Sequence, residues 1–252
     1  MKVSANSQDS EWLARCEDFE QSVLKYKNVR FSHFVSPHDL AIFKSHYRMS
    51  RDVNCKAYGG NDDAERVILG FYPDFLEIEN EDFPIVPLMI SNLGSATHRD
   101  VLGSVLGLGI KREMIGDIYF DDGFAVVMCE KSSTEYVLYN LKTVGRQKVD
   151  VAVCDKEKSF SLKHKFEILR VIVSSERLDA LLAQVCRMSR SEAVKHIMSD
   201  NVNVNFTVEN NPDKKLSPGD VISVRHHGRF MIVDALGETK KGRIILEVKK
   251  YI

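Results

Sequence analysis

No apolar run in this 252-residue chain approaches the ~20 residues that a membrane helix requires. The polar N-terminus lacks the apolar core of a secretory signal, so a soluble, cytoplasmic protein is expected. Five cysteines (Cys16, Cys55, Cys129, Cys154 and Cys186) lie far apart without a C-x-x-C pair, which excludes common zinc spacings and leaves buried reduced thiols. His33, His38 and His46 have no Asp, Glu or Cys at metal-ligand spacing and read as surface residues. A Gly-Lys-Ser/Thr nucleotide loop is missing, and Gly103, Gly107 and Gly109 have the wrong spacing for a dinucleotide fingerprint; they read as positions of close packing and helix ending. No Ser/His/Asp or Cys/His set can be assembled. A non-catalytic chain without cofactor, metal or small-molecule substrate is expected.

What is present is an uneven charge distribution. The net charge is only −1. Yet from Phe166 to Ile252 there are 14 Lys+Arg against 11 Asp+Glu, net +3, and the remainder carries 21 against 25, net −4. A basic C-terminal module on an acidic body suits local contact with nucleic acid. Hydrophobic residues make up 44% of the chain, enough for one large core or two to three small ones. The patterning predicts an α+β protein with an N-terminal helical/α+β domain over 1–80, an α/β plait over 81–165 and a basic module over 166–252.

The stretch from Arg177 to Arg225 carries the most information. Leu178, Leu181, Leu182 and Val185 repeat at helical spacing. Ser189 and Glu192 form a Ser-x-x-Glu capping box, which starts a second helix with Val194, Ile197 and Met198 on its apolar face. Alternation over Val202–Asn205 predicts a strand, and Ser217-Pro218-Gly219-Asp220 a turn into a strand over Val221–Arg225. Arg190 stands at a helix N-terminus, where the dipole favours anions, so a bound phosphate is expected to complete the arrangement. The order Arg177-Leu178-Asp179, Ser189-Arg190-Ser191-Glu192-Ala193, Val204-Asn205 and Pro218-Gly219-Asp220-Val221-Ile222 closely resembles the S4 RNA-binding domain. This chain departs from that family at Asn201 and Phe206, where glycine is usual. Asn tolerates a left-handed backbone; Phe does not, so the turn after Asn205 is expected to be rebuilt.

Upstream, Ser10 opens a helix with Trp12, Cys16, Phe19 and Val23 on one face. Ser36, Pro37 and Asp39 start another, with Leu40, Phe43 and Tyr47 as its apolar face. Cys55–Tyr58, the Gly59-Gly60 turn and Arg66–Tyr72 read as a strand pair. The middle segment reads as a split βαβ plait, the architecture of RNA-recognition motifs. Its strands are Val86–Ser91, Gly116–Phe120, Phe124–Cys129 and Lys148–Cys154. Its helices run from His98 to about Leu106 and over Ser133–Leu141, the second capped by a Ser132/Glu135 box. Met89 and Val126 stand where stacking aromatics belong and only Phe124 remains, so the sheet is expected to be a poor single-strand platform. The basic loop Lys111-Arg112 is the better RNA contact there.

The chain as a whole resembles the bacterial YlmH family, on Ala57-Tyr58-Gly59-Gly60, Ala64-Glu65-Arg66, Thr97-His98-Arg99-Asp100-Val101-Leu102-Gly103 and Leu108–Ile118. The resemblance implies an RNA-binding factor, a gene neighbour of cell-division genes, associated with large ribosomal subunits carrying stalled peptidyl-tRNA. Arg187-Met188-Ser189-Arg190-Ser191 is close to the Lys-Met-Ser-Lys-Ser loop of class I aminoacyl-tRNA synthetases, but no His-Ile-Gly-His partner precedes it. Arg177-Leu178-Asp179 echoes the catalytic loop of pseudouridine synthases; Asp179 is expected instead as a solvated or capping carboxylate. Arg177, Arg187, Arg190 and Lys195 are expected to line one face of the two-helix unit and bind phosphates of ribosomal RNA or tRNA, with Ser189 adding a hydroxyl. Asn203 and Asn205, pointing the same way, are expected to reach 2′-hydroxyls or base edges, and Lys214, Lys215, Arg225 and Arg229 to extend the positive rim. An RNA-modifying enzyme and a cell-division adaptor are the alternative classes.

Overall fold

The computed structural model describes residues 7–155 and 162–251, so residues 1–6 of the polar N-terminus fall outside it. The chain divides into two compact units, Met1–Lys163 and His164–Ile252. No helix among the described residues is long and apolar enough to cross a membrane.

The first unit is built in four layers: helices, sheet, sheet, helices. Helix α1 (Ser7–Tyr26) and α2 (Pro37–His46) cover one face of a three-stranded antiparallel sheet. Its strands are β1 (Arg30–Val35), β2 (Val53–Tyr58) and β3 (Val67–Pro73), in the order β1-β3-β2. The Ser36–Asp39 capping box forms as read, and Trp12 Nε1 ties α1 to α2 by donating to the Asp39 carbonyl at 2.9 Å. The buried residue of α2 is Ile42, with Leu40 and Phe43 only partly covered. Along β3, Val67, Leu69 and Phe71 pack under the helices, while the alternate Ile68 and Tyr72 join a second core.

That second core joins the three-stranded sheet to the plait. The plait has β4 (Ile85–Ser91), α3 (His98–Gly107), β5 (Ile115–Asp121), β6 (Phe124–Glu130) and α4 (Lys131–Asn140). A short ribbon of β7 (Thr143–Val144) and β8 (Gln147–Lys148) follows, and β9 (Asp150–Val153) closes the sheet in the antiparallel order β5-β6-β4-β9. The split βαβ order is therefore present, with its last strand cut short by the ribbon. Ala125, Val127 and Cys129 of β6 face the core shared with α3 and α4, whereas Val126 and Met128 pack against Phe34, Tyr58 and Ile68. A continuous apolar run results because both faces are covered.

Two local readings change. Helix α4 begins at Lys131 with Glu130 as its N-cap, and the Ser132/Glu135 box does not form. Strand β6 runs straight into the helix, so buried Ser133 and its neighbour Thr134 satisfy their hydroxyls on the Glu130 carbonyl, at 2.9 and 3.2 Å. Gly103 and Gly107 have open space where a side chain would stand, so they serve no close approach; Gly109, at φ +86°, follows the end of α3 as expected. Among the glycines that do permit a close approach is Gly116, where a Cβ would lie 2.6 Å from Phe34 Cε1.

The second unit packs α5 (Leu178–Val185) and α6 (Arg190–Met198) on one six-stranded antiparallel sheet. Its strands are β10 (Phe166–Val173), β11 (Val202–Val204), β12 (Thr207–Val208), β13 (Val221–Val224), β14 (Gly228–Glu238) and β15 (Ile244–Tyr251), in the order β10-β15-β14-β13-β11-β12. Leu178, Leu181, Leu182, Ala193 and Ile197 meet Val202, Val204, Ile222, Phe230 and Val248 in one core. On α6 the buried pair is Ala193 and Ile197, four residues apart; Met198 is 68% exposed, so it does not belong to the apolar face. The long β14–β15 hairpin and β10 lie beyond the strands read from sequence.

Candidate nucleic-acid interface

Helix α5 ends because Arg187 takes a left-handed conformation, φ +52°. The Arg187 N–H donates to the Gln184 carbonyl and the Met188 N–H to the Ala183 carbonyl, the paired bonds of a Schellman motif. Two residues on, Ser189 caps α6. Its Oγ accepts from the Glu192 N–H at 3.2 Å, and its N–H donates to Glu192 Oε2 at 2.8 Å. The turn between the helices is thus fixed at both ends, and it displays Arg187 in solvent with no partner among the described residues.

Arg190 does not wait for a phosphate. Its Nε and Nη2 donate to the two oxygens of Asp179 at 2.9 and 3.2 Å. Arg177 grips the same carboxylate through Nε and Nη2 at 3.1 and 2.9 Å, and also pairs with Asp213. Asp179 is neither solvated nor a helix cap, as it is 2% exposed and clamped between two guanidinia. Burial alone would raise its pKa, but the hydrogen bonds from Arg177 and Arg190 outweigh that and hold it below the ordinary carboxylate value. The anion that the sequence pattern calls for is internal. The Ser189 hydroxyl is likewise engaged within the capping box, and the Glu192 carboxylate occupies the helix N-terminus.

The other expected contacts separate by face. Lys195 is exposed and has no partner among the described residues, but five residues beyond Arg190 it stands roughly 140° round the helix axis, so the four cations do not form one stripe. Val202 and Val204 point into the core beneath the helices, which places Asn203 on the opposite face of the sheet, in register with Ser223 and, beyond it, Arg229. Asn205 holds the turn: its Nδ2 donates to Asp220 Oδ1 at 2.7 Å and its Oδ1 accepts from the Val221 N–H at 2.9 Å. The two asparagines therefore do not act together. Lys214 pairs with Glu209 at 3.4 Å, while Lys215 and Arg225 are exposed without ion-pair partners among the described residues.

The turn after Asn205 is not rebuilt. Asn205 and Phe206 both have positive φ, +50° and +67°, and close a two-residue hairpin between Val204 and Thr207. This is the geometry for which glycine is favoured. Phe206 adopts it with its ring against the Arg229 guanidinium, 5.5 Å from the centroid, and Arg229 lies 5.2 Å from the Tyr251 ring on another side. The left-handed residue before β11 is Asp200, φ +54°, rather than Asn201.

In the first unit Lys111 is exposed, 3.8 Å from Glu113, but Arg112 turns inward. Its Nη1 donates to the carbonyls of Ile115 and Gly116. The pair is therefore a tight 3₁₀ turn entering β5 rather than a solvated basic loop. His33 and His38 are each set against a carboxylate, Glu130 at 2.6 Å and Asp9 at 2.9 Å. Sequence reasoning missed the Asp179 clamp and half-buried Arg66; the signal for the first was the Arg177-x-Asp179 spacing.

The second unit is thus a helix pair on an antiparallel sheet, with cations displayed in the turn between the helices and on the strand ends. Residues 79–158 match the family model described as "Putative RNA-binding domain in YlmH". Over 229 residues the chain is 28% identical to the ribosome-associated protein quality control protein P2 of Bacillus subtilis (strain 168), covering 90% of this chain and 89% of that protein. A solved structure, the cell division protein ylmH from Streptococcus pneumoniae, shares the fold with a TM-score of 0.55 and 21% identity, over 64% of this chain and 99% of that one. These matches support a relationship to the YlmH family.

Proposed function

We propose that this protein binds structured RNA of the large ribosomal subunit, ribosomal RNA or bound tRNA, and acts in quality control of stalled peptidyl-tRNA as a binding factor rather than an enzyme. The observation that carries this reading is the set of exposed cations in the second unit that have no ion-pair partner among the described residues: Arg187, Lys195, Lys215 and Arg225. A fold that leaves such side chains unpaired while using Asp179 to fix Arg177 and Arg190 keeps a net positive surface available to phosphates. The name of the Bacillus subtilis relative supports the ribosomal setting.

The test is co-sedimentation of the full chain with ribosomes across a salt series. Arg187→Glu with Lys195→Glu is the informative pair, because neither side chain holds the fold; Arg190→Glu would set a second carboxylate against buried Asp179. Each lost phosphate contact should flatten the slope of log affinity against log salt by about 0.7–0.9. An unchanged slope overturns the assignment, and complexes that survive RNase would favour a protein adaptor.

A further inference from the structure

In the first unit, the motifs Ala64-Glu65-Arg66 and Lys111-Arg112-Glu113 meet at one cleft of about 810 Å³, whose walls include Trp12, His33, Phe34, Arg66, Lys111 and Arg112. The two arginines converge on one atom: Arg66 Nε donates to the Ile115 carbonyl at 3.0 Å, and Arg112 Nη1 donates to the same oxygen. Arg66 Nη2 reaches the Phe34 carbonyl at 3.1 Å, and Arg112 Nη1 the Gly116 carbonyl at 3.3 Å. A guanidinium has five N–H donors, so Nη1 of Arg66 and the Nε and Nη2 of Arg112 keep donors without a protein acceptor.

Neither guanidinium forms an ion pair with a carboxylate among the described residues. Carboxylates at the cleft are committed elsewhere: Asp39 to the Ser36 cap, Glu11 to Arg15 at 3.7 Å and Glu113 to Lys111 at 3.8 Å. Behind the pair, Asp117 Oδ2 accepts the backbone N–H groups of Glu65 and Arg66 at 2.6 and 3.1 Å. Two like charges are thus oriented by main-chain carbonyls; Asp117 favours the charged form of both and Asp39 that of Arg66, but neither carboxylate forms an ion pair with a guanidinium among the described residues. Desolvation, with Arg66 nearby, pushes the Arg112 pKa down to about 10, and desolvation lowers that of Arg66. Prearranged, partly desolvated guanidinia facing a cleft of ligand size form a receptor for a multiply charged oxyanion.

We propose that this cleft binds the phosphate group of a nucleotide between Arg66 and Arg112, with Trp12 and Phe34 as an apolar wall for the rest of the ligand. The phosphate can come from a free nucleotide or from the 5′ end of an RNA chain. All of its lining residues belong to the first unit.

Trp12 is the chain's single tryptophan and lines the cleft, so its emission reports occupancy. The full chain is titrated at constant ionic strength with inorganic phosphate, AMP, GMP, adenosine, and RNA oligonucleotides bearing a 5′-phosphate or a 5′-hydroxyl. A saturable emission change with the phosphate-bearing compounds and none with adenosine is expected. Tighter binding of AMP or GMP marks a free-nucleotide site, and preference for 5′-phosphorylated over 5′-hydroxyl RNA marks an RNA end. Arg112→Gln should weaken binding about tenfold or more, and Arg112→Lys less, since it retains the charge. The Arg187→Glu, Lys195→Glu variant should bind as the wild type does, which keeps this result separate from ribosome binding. Absence of a saturable response to every phosphate compound in the wild type overturns the proposal, whatever the variants do. Full affinity in a folded Arg112→Gln chain overturns it as well.

Discussion

Replacing Asp179 by Asn tests whether the second unit's helix pair is held by one buried carboxylate. The substitution nearly preserves shape but removes the charge that accepts four hydrogen bonds from Arg177 and Arg190. Breaking a fully buried ion pair costs about 3–5 kcal/mol. Here the guanidinia remain 36% and 50% exposed, so part of that loss is recovered by solvation and about 2–3 kcal/mol is expected. Hydrogen exchange localises the effect better than a melt, because the chain has two units. Peptides spanning α5 and α6 should exchange about 30- to 150-fold faster, at roughly 1.4 kcal/mol per factor of ten, while α3 and α4 stay protected. The folded Asp179 pKa lies below its ordinary value of 3.8. Its contribution is therefore fully present above that value and lost as pH falls through the lower folded pKa. The gap between wild type and Asp179→Asn should stay constant from near neutrality down to about pH 5 and close only in strong acid. Unchanged protection of α5 and α6 in the variant would refute the clamp as a stabilising element.

Phe206 separates strain from stacking. Phe206→Gly relieves a left-handed backbone but loses the Arg229 contact, so its urea midpoint should move by less than about 1 kcal/mol in stability. Phe206→Ala keeps the strain and loses the ring, and should cost about 1 kcal/mol more than the glycine variant; the reverse order would deny the left-handed strain any part. Gly116→Val forces a side chain into Phe34, and thermal unfolding should show a loss of about 1–3 kcal/mol in the first unit. A neutral result there would mean that β1 and β5 are not packed as closely as the 2.6 Å approach requires.

The sequence was most legible where local chemistry and burial agreed. Ser36–Asp39 and Ser189–Glu192 each carry a cap directly before an apolar period, and both boxes form. Ser132–Glu135 has the same letters, but there the strand runs directly into the helix, so chain geometry overrides the motif. Isolated charges were the least legible. Arg190 looks identical on paper whether it awaits a phosphate or grips a buried Asp, because the partner is eleven residues away on another helix. Arg112 reads as a solvated cation until the carbonyls of β5 are in place to receive it. Asn203 and Asn205 share a face only if the strand continues through both, and the left-handed turn at Asn205 ends that alternation. Phe206 shows that a propensity of a kcal/mol or so yields when the hairpin register and a cation over the ring favour the same turn.

The plait raises a separate physical question, since residues 79–158 match a family model described as RNA-binding. Recognition-motif sheets bind single strands by stacking bases on an open face, and each stacked base contributes about 1–3 kcal/mol. Here that face is not open. Val126 and Met128 are completely buried, and Met89 and Phe124 pack on the same core, against Phe34, Tyr58 and Ile68 of the three-stranded sheet. Exposing it for RNA would uncover an apolar layer shared by two sheets, at a cost that a few stacked bases could not offset. The missing aromatics at positions 89 and 126 and the covered face are thus one fact seen twice: apolar side chains stand there because another sheet does. RNA contact by the plait must run through its helices, its loops or the arginine-lined cleft at the entry to β5.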